Sequence, residues 1–148
     1  MNPVLYLKTA AICSFSIALL HVAIMIVGGE WYVFFGAGQE MARLDETGSW
    51  YPKIVNSVIA VIFSIWGCYA LSAAGMIKKL PFLRTVILSI SGILILRGIS
   101  GFILPFTSTH PFILQNSIPF WMITSVISTL LGLLFLLGLI GRWGYFKR

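Results

Sequence analysis

The sequence predicts an all-α integral membrane protein: a four-helix bundle with both termini cytoplasmic and a long outer loop between helices 1 and 2. Three observations carry that expectation. Of 148 residues, 59% are hydrophobic and 9% are charged, with a mean hydropathy of +0.98, whereas soluble domains carry roughly a quarter charged residues. Four stretches, 4–27, 54–77, 82–105 and 118–140, each supply the roughly 20 apolar residues a helix needs to cross a hydrocarbon core about 30 Å thick. No stretch alternates at period two, which argues against a β-barrel, and a helix closes its own backbone hydrogen bonds as lipid requires. A chain this long makes one domain. So few charges exclude a soluble globular domain, a disordered tail and a nucleic-acid module, so no nucleic-acid partner is expected.

The first span, 4–27, is longer than a secretory signal's apolar core and no small-x-small cleavage pattern follows Val27, so it reads as a retained helix. Gly28-Gly29 breaks it. The loop 28–53 is too long for a tight connector. Its EWYVFFGAGQEMARLDETGSWYP has an aromatic half, a small-residue turn and a charged half. Gln39 to Asp45 suits a short helix with Glu40 and Arg43 paired at i,i+3, and the whole loop is expected to lie as a lid over the bundle's outer end. Pro52 precedes the second span, Leu80-Pro81 punctuates the second loop, and a nearly uncharged stretch from Pro105 to Pro119 separates spans three and four. Small-xxx-small pairs such as Ala60/Ser64 and Ser128/Gly132 suit close helix packing. The run LLGLLFLLGLI in span four reads as lipid-facing or as an oligomer contact.

Orientation follows from Lys and Arg placement. Lys78, Lys79 and Arg84 flank the second loop, Arg142, Lys147 and Arg148 close the chain, and Lys8 can snorkel to the same side. The opposite loops hold Arg43 and Lys53 with all four acids, Glu30, Glu40, Asp45 and Glu46. Both termini are therefore expected inside. Trp31, Tyr32, Trp50 and Tyr51 bracket the first loop, and Trp143 and Tyr145 mix with the terminal basic residues, as interfacial anchors do.

Arg97 is the most informative residue, because an ionisable group inside a span is costly and faces a cavity or a partner. At 1.5 Å per residue it lies roughly 22 Å from Phe82, in the outer half of the span. His21, Asn56, Ser57, Ser100, Trp121, Thr124 and Ser125 fall at the same level on their own spans. One outer-leaflet polar layer beneath the acidic loop follows, as a ligand pocket or a structural network requires. Arg97, His21, Glu40, Glu30, Asn56 and Trp121 are the candidate ligand-binding residues. Arg97 has two readings: an ion pair with Glu30 or Glu40 that locks the loop, or an anchor for an anionic headgroup or other small ligand. Cys13 and Cys68 read as small buried apolar residues. His21 and His110 carry no metal-ligand spacing, so no metal and no cofactor are expected.

The stretch WYVFFGAGQEMARLDETGSWYP followed by IWGCYALSAAG resembles a group of small bacterial four-span inner-membrane proteins. That resemblance covers most of the chain. It implies a multi-pass place in the bacterial cytoplasmic membrane and assigns no activity and no site residue.

Three functions remain open. The first is a bundle with an outward-facing polar pocket for a lipid or small anionic ligand, in a binding, carrier or accessory role. The second is an enzyme acting at the outer leaflet, with Glu40 or Glu30 as base, His21 as acid or base and Arg97 holding a headgroup. The third is an assembly partner of a larger membrane complex, or a homo-oligomer. No acid lies at mid-span to relay protons, which disfavours an ion channel or a proton-coupled exporter.

Overall fold

The structure, a computed structural model, describes residues 2–147, Lys147 by its backbone alone. Arg148, counted above with the terminal charges, lies outside the described residues. The elements in order are α1 (Pro3–Val27), α2 (Glu30–Phe34), α3 (Gln39–Glu46), α4 (Tyr51–Ala74), α5 (Leu83–Thr107), α6 (Pro111–Leu114) and α7 (Ile118–Gly141), then a 3-10 turn, Trp143–Lys147. Among the described residues there is no strand. α1, α4, α5 and α7 are long and apolar enough to cross a membrane, the composition of a multi-pass membrane protein.

The helix ends follow from local chemistry. α1 begins where the Val4 amide donates to the Asn2 side chain at 3.0 Å, with Pro3 in the first turn, where its missing N–H costs nothing. It stops at Gly28, whose φ of 69° few other residues tolerate. α4 begins at Tyr51, three residues before the expected Ile54, because Pro52 sits in its first turn. It ends at Ala74, before left-handed Gly75. α5 runs through Pro105 to Thr107 rather than stopping at the proline. α7 is capped by Ser117, which accepts from the Phe120 amide at 3.3 Å. α3 matches the short helix expected at 39–45, while the short helices α2 and α6 carry no periodic pattern that sequence could reveal.

α1 packs chiefly on α4, and α5 on α7; α1 with α7 and α4 with α5 join the two pairs. The main core lies toward the termini. There Leu7 and Ala10 of α1, Ala70 and Ala73 of α4, Ile87 of α5 and Phe135 and Leu139 of α7 are fully buried together. Between apolar helices in an apolar solvent, association rests on close contact rather than on water exclusion. Gly138 shows this: a Cβ there would stand 2.5 Å from Leu7 Cγ, so the bare backbone is the seat for that side chain.

Toward the other end, which carries the α1–α4 connection, burial narrows. In α4, Pro52, Asn56 and Ala60 form a single buried stripe at every fourth residue, whereas Gly67, Ala70, Ser72, Ala73 and Ala74 are buried on several sides. In α5, only Gly98 and Gly101 are buried beyond Leu94, and both meet α7 side chains. Each pair therefore holds together along its length, while the two pairs share their core near the termini. At the connection end they are bridged from above. Gly36 packs on the Phe120 ring and Gly38 on the Gln115 amide, and Asn116 Nδ2 donates to the Gly36 carbonyl at 3.1 Å.

Candidate functional site: a polar continuation of the core face

Residues seven apart lie nearly above one another on a helix. On α5, Leu83, Ile90 and Arg97 share such a stripe; Leu83 and Ile90 are buried in the main core. On α1 the equivalent stripe is Leu7, Ser14 and His21, of which Leu7 and Ser14 are fully buried. The face that is apolar core near the termini thus becomes polar as it approaches the connection end. Arg97 continues a core-facing stripe, yet its side chain is exposed.

The Arg97 guanidinium carbon stands 5.0 Å from the centre of the Trp121 ring, a cation–π distance. Trp121 is itself buried, and its Nε1 donates to the Ile113 carbonyl at 3.0 Å, so α6 fixes the ring that the cation covers. A Cβ on Gly101 would lie 2.5 Å from Arg97 Nη1 and would also strike Ser125 Oγ. The guanidinium and the hydroxyl therefore converge over the same bare backbone. Ser125 is fully buried, and its Oγ, like Thr129 Oγ1 and Ser14 Oγ, has no hydrogen-bond partner among the described residues. Buried hydroxyls are seldom left so. The ion pairs among the described residues are Arg43–Glu40 and Lys53–Asp45; Arg97 is in neither.

The other candidate residues are placed as follows. The His21 ring stacks on Phe63, with centroids 6.2 Å apart, and its Nδ1–H donates to the Ile17 carbonyl at 2.9 Å. Asn56 is buried but spends its Nδ2 on the Pro52 carbonyl of its own helix, at 3.0 Å. Glu30 is exposed in the first turn of α2. Glu40 is exposed on α3 and takes two hydrogen bonds from Arg43, at 2.9 and 2.6 Å, and these hold its carboxyl below the usual carboxylate range. Arg97 and Trp121 are thus in contact and His21 shares the core face. Asn56 and Glu40 bond within their own helices, and Glu30 is exposed. The ion-pair reading of Arg97 with Glu40 gives way to Arg43, which is three residues along the same helix and needs no long reach.

The acid that the fold does draw inward is Asp45. Its Oδ2 accepts from the Gly29 amide at 3.3 Å, and its Oδ1 lies 3.8 Å from Lys53 Nζ. Tyr32 is fully buried beside Ile24 and Ala42. Its hydroxyl has no hydrogen-bond partner among the described residues, and burial, then the Asp45 charge, pushes its pKa up. The Gly28-Gly29 corner, where a carboxylate fits against bare backbone, is the sequence signal that points to Asp45. Cys13 is half-buried, but Cys68 is exposed on α4, not buried as expected. A half-open cleft of about 620 Å³ lies between the α2–α3 segment and α6, lined by Gln39, Glu40, Phe112, Gln115 and Asn116 among others. Neither Arg97 nor His21 lines it. Among the described residues, no three His, Cys, Asp or Glu side chains gather as metal ligands would.

No protein-family model, no curated protein and no solved structure matches this chain. Its chemistry is read from the arrangement above.

Proposed function

We propose that the protein is a small polytopic protein of the bacterial cytoplasmic membrane that holds an anionic group, a lipid headgroup or a small anionic ligand, at Arg97, in a binding, carrier or accessory role. Both termini lie on the cytoplasmic side in this reading, and the α2–α3 segment forms an outer lid. The supporting observation is the exposed Arg97 guanidinium on a core-facing stripe, with no carboxylate paired to it among the described residues. A cation inside a span calls for a counter-charge. The planar guanidinium suits a carboxylate or phosphate, which it can grip with two N–H groups. The site lies where α5 meets α7, and Arg97 does not line the cleft beneath the α2–α3 segment.

An acid–base enzyme would need Glu30 or Glu40 within reach of His21 and Arg97; the Glu40–Arg43 pairing on α3 gives that reading no support. The test is native mass spectrometry of the protein extracted gently from its membrane, for wild type and Arg97→Ala, with folding checked by circular dichroism. A specific lipid or small anion retained by wild type and lost from the folded variant is the expected result. Loss of a co-purifying protein instead would favour the assembly role, and bulk lipid alone on both forms would end the binding proposal.

A further inference from the structure

The termini end of the bundle carries a second, separate cationic surface. No Asp or Glu follows Glu46 in the sequence. Arg84 stacks on Trp143, its guanidinium carbon 3.6 Å from the ring centre. That contact occupies one face of the plane and leaves the N–H edge open; no hydrogen bond or ion pair among the described residues uses it, nor the ammonium of exposed Lys78. Between these two cations in the sequence is Phe82, with 81% of its surface exposed. Its φ is 51°, the one positive φ at a non-glycine residue among those described. A bulky residue is rarely held in that region, and here the geometry keeps an apolar ring out in the open. Met76 and Ile77, 56% and 42% exposed, extend the apolar side of the same turn.

Exposed apolar side chains flanked by cations match one environment, the boundary where acyl chains meet phosphates. We infer that the α4–α5 turn, with Arg84 braced on Trp143, binds the phosphodiester headgroup of an anionic phospholipid. Arg84 grips the phosphate through its free edge, Lys78 adds charge, and Phe82 seats among the first methylenes of the chains. The site is independent of Arg97, which lies about 20 Å along α5 from Arg84 at 1.5 Å per residue.

The test adds equal amounts of phosphatidylglycerol and phosphatidylcholine to the detergent-solubilised full chain and counts each bound lipid by native mass spectrometry. It is run in both the wild-type and Arg97→Ala chains, so that a ligand at Arg97 makes no contribution. A preference for phosphatidylglycerol is expected in both, falling about fivefold on Arg84→Gln and again on Lys78→Gln, the worth of roughly 1 kcal/mol per surface cation. Lys78 is exposed, so its variant reports even where Arg84→Gln disturbs the turn. Equal retention of the two lipids, an unchanged preference in the double variant, or loss of preference on Arg97→Ala alone would each overturn the site. Displacement of the lipid by millimolar inorganic phosphate would overturn it too, as the mark of a free-phosphate site.

Discussion

Arg142 Nη1 donates a 2.7 Å hydrogen bond to the carbonyl of Ala73, so the residue that closes α7 also caps the C-terminus of α4. The final carbonyls of a helix lack partners within it and carry its negative dipole end, and the guanidinium answers both. Its guanidinium carbon lies 4.0 Å from the Tyr145 ring centre. One side chain thereby fastens the last turn of the chain beneath the second spanning helix.

Arg142→Gln is expected to lower stability by about 1.5–3 kcal/mol, the range for a hydrogen bond to a charged group. Reversible unfolding in mixed micelles measures it. Tyr145→Phe, which keeps the ring, should change stability far less.

The α5–α7 pair depends on a missing side chain. A Cβ on Gly98 would collide with Thr129 Oγ1 and lie 3.0 Å from the Ser125 carbonyl, and backbone cannot step aside as a side chain can. Gly98→Ala is expected to cost about 1–3 kcal/mol through overpacking. Gly92, with nothing within 4 Å of its would-be Cβ, is the control: Gly92→Ala should be neutral or slightly stabilising.

Arg97→Leu separates ligand binding from a structural role. An unpaired cation in a span is a burden that leucine does not carry, so the folded variant should match or exceed wild type by up to about 2.5 kcal/mol while losing any retained anion. A drop in stability would mean that Arg97 holds the bundle together.

Tyr32 sets a pH dependence at the alkaline end. Its folded-state pKa is raised, so the neutral hydroxyl is favoured in the fold. That contribution is fully present below the ordinary value of 10.0 and is lost as pH rises through the folded-state value, when a phenolate would form near the Asp45 carboxylate. Ultraviolet absorbance should show one tyrosine ionising above the ordinary range, and Tyr32→Phe should remove that step.

Much of this architecture is legible in composition, because only helices of sufficient apolar length satisfy a lipid solvent. The Glu40–Arg43 pair is legible too, being local. What sequence does not reveal is which side of each helix faces its neighbours. The spans are apolar nearly all round, so the stripe from Leu83 through Ile90 to Arg97 stands out only once Leu83 and Ile90 are seen in the core. Asp45 is hidden for a related reason: its partners at Gly29 and Lys53 come from either side of a fold-back that no periodicity announces. The extension of α4 back to Tyr51 shows the opposite case, a boundary misplaced because Pro52 serves equally to break a helix or to begin one.

The charge at Arg97 has an electrical consequence. In the proposed arrangement its guanidinium sits part of the way across an energised membrane, where a full crossing is worth about 2.3 kcal/mol per elementary charge at 100 mV. An empty site carries that charge within the field; a site filled by a monovalent anion is neutral and feels almost none of it. Voltage and ligand then act on one equilibrium. A potential negative on the termini side draws the bare guanidinium away from Gly101 and Ser125 and toward the apolar core, so occupancy should fall as the membrane is polarised and recover as it is discharged.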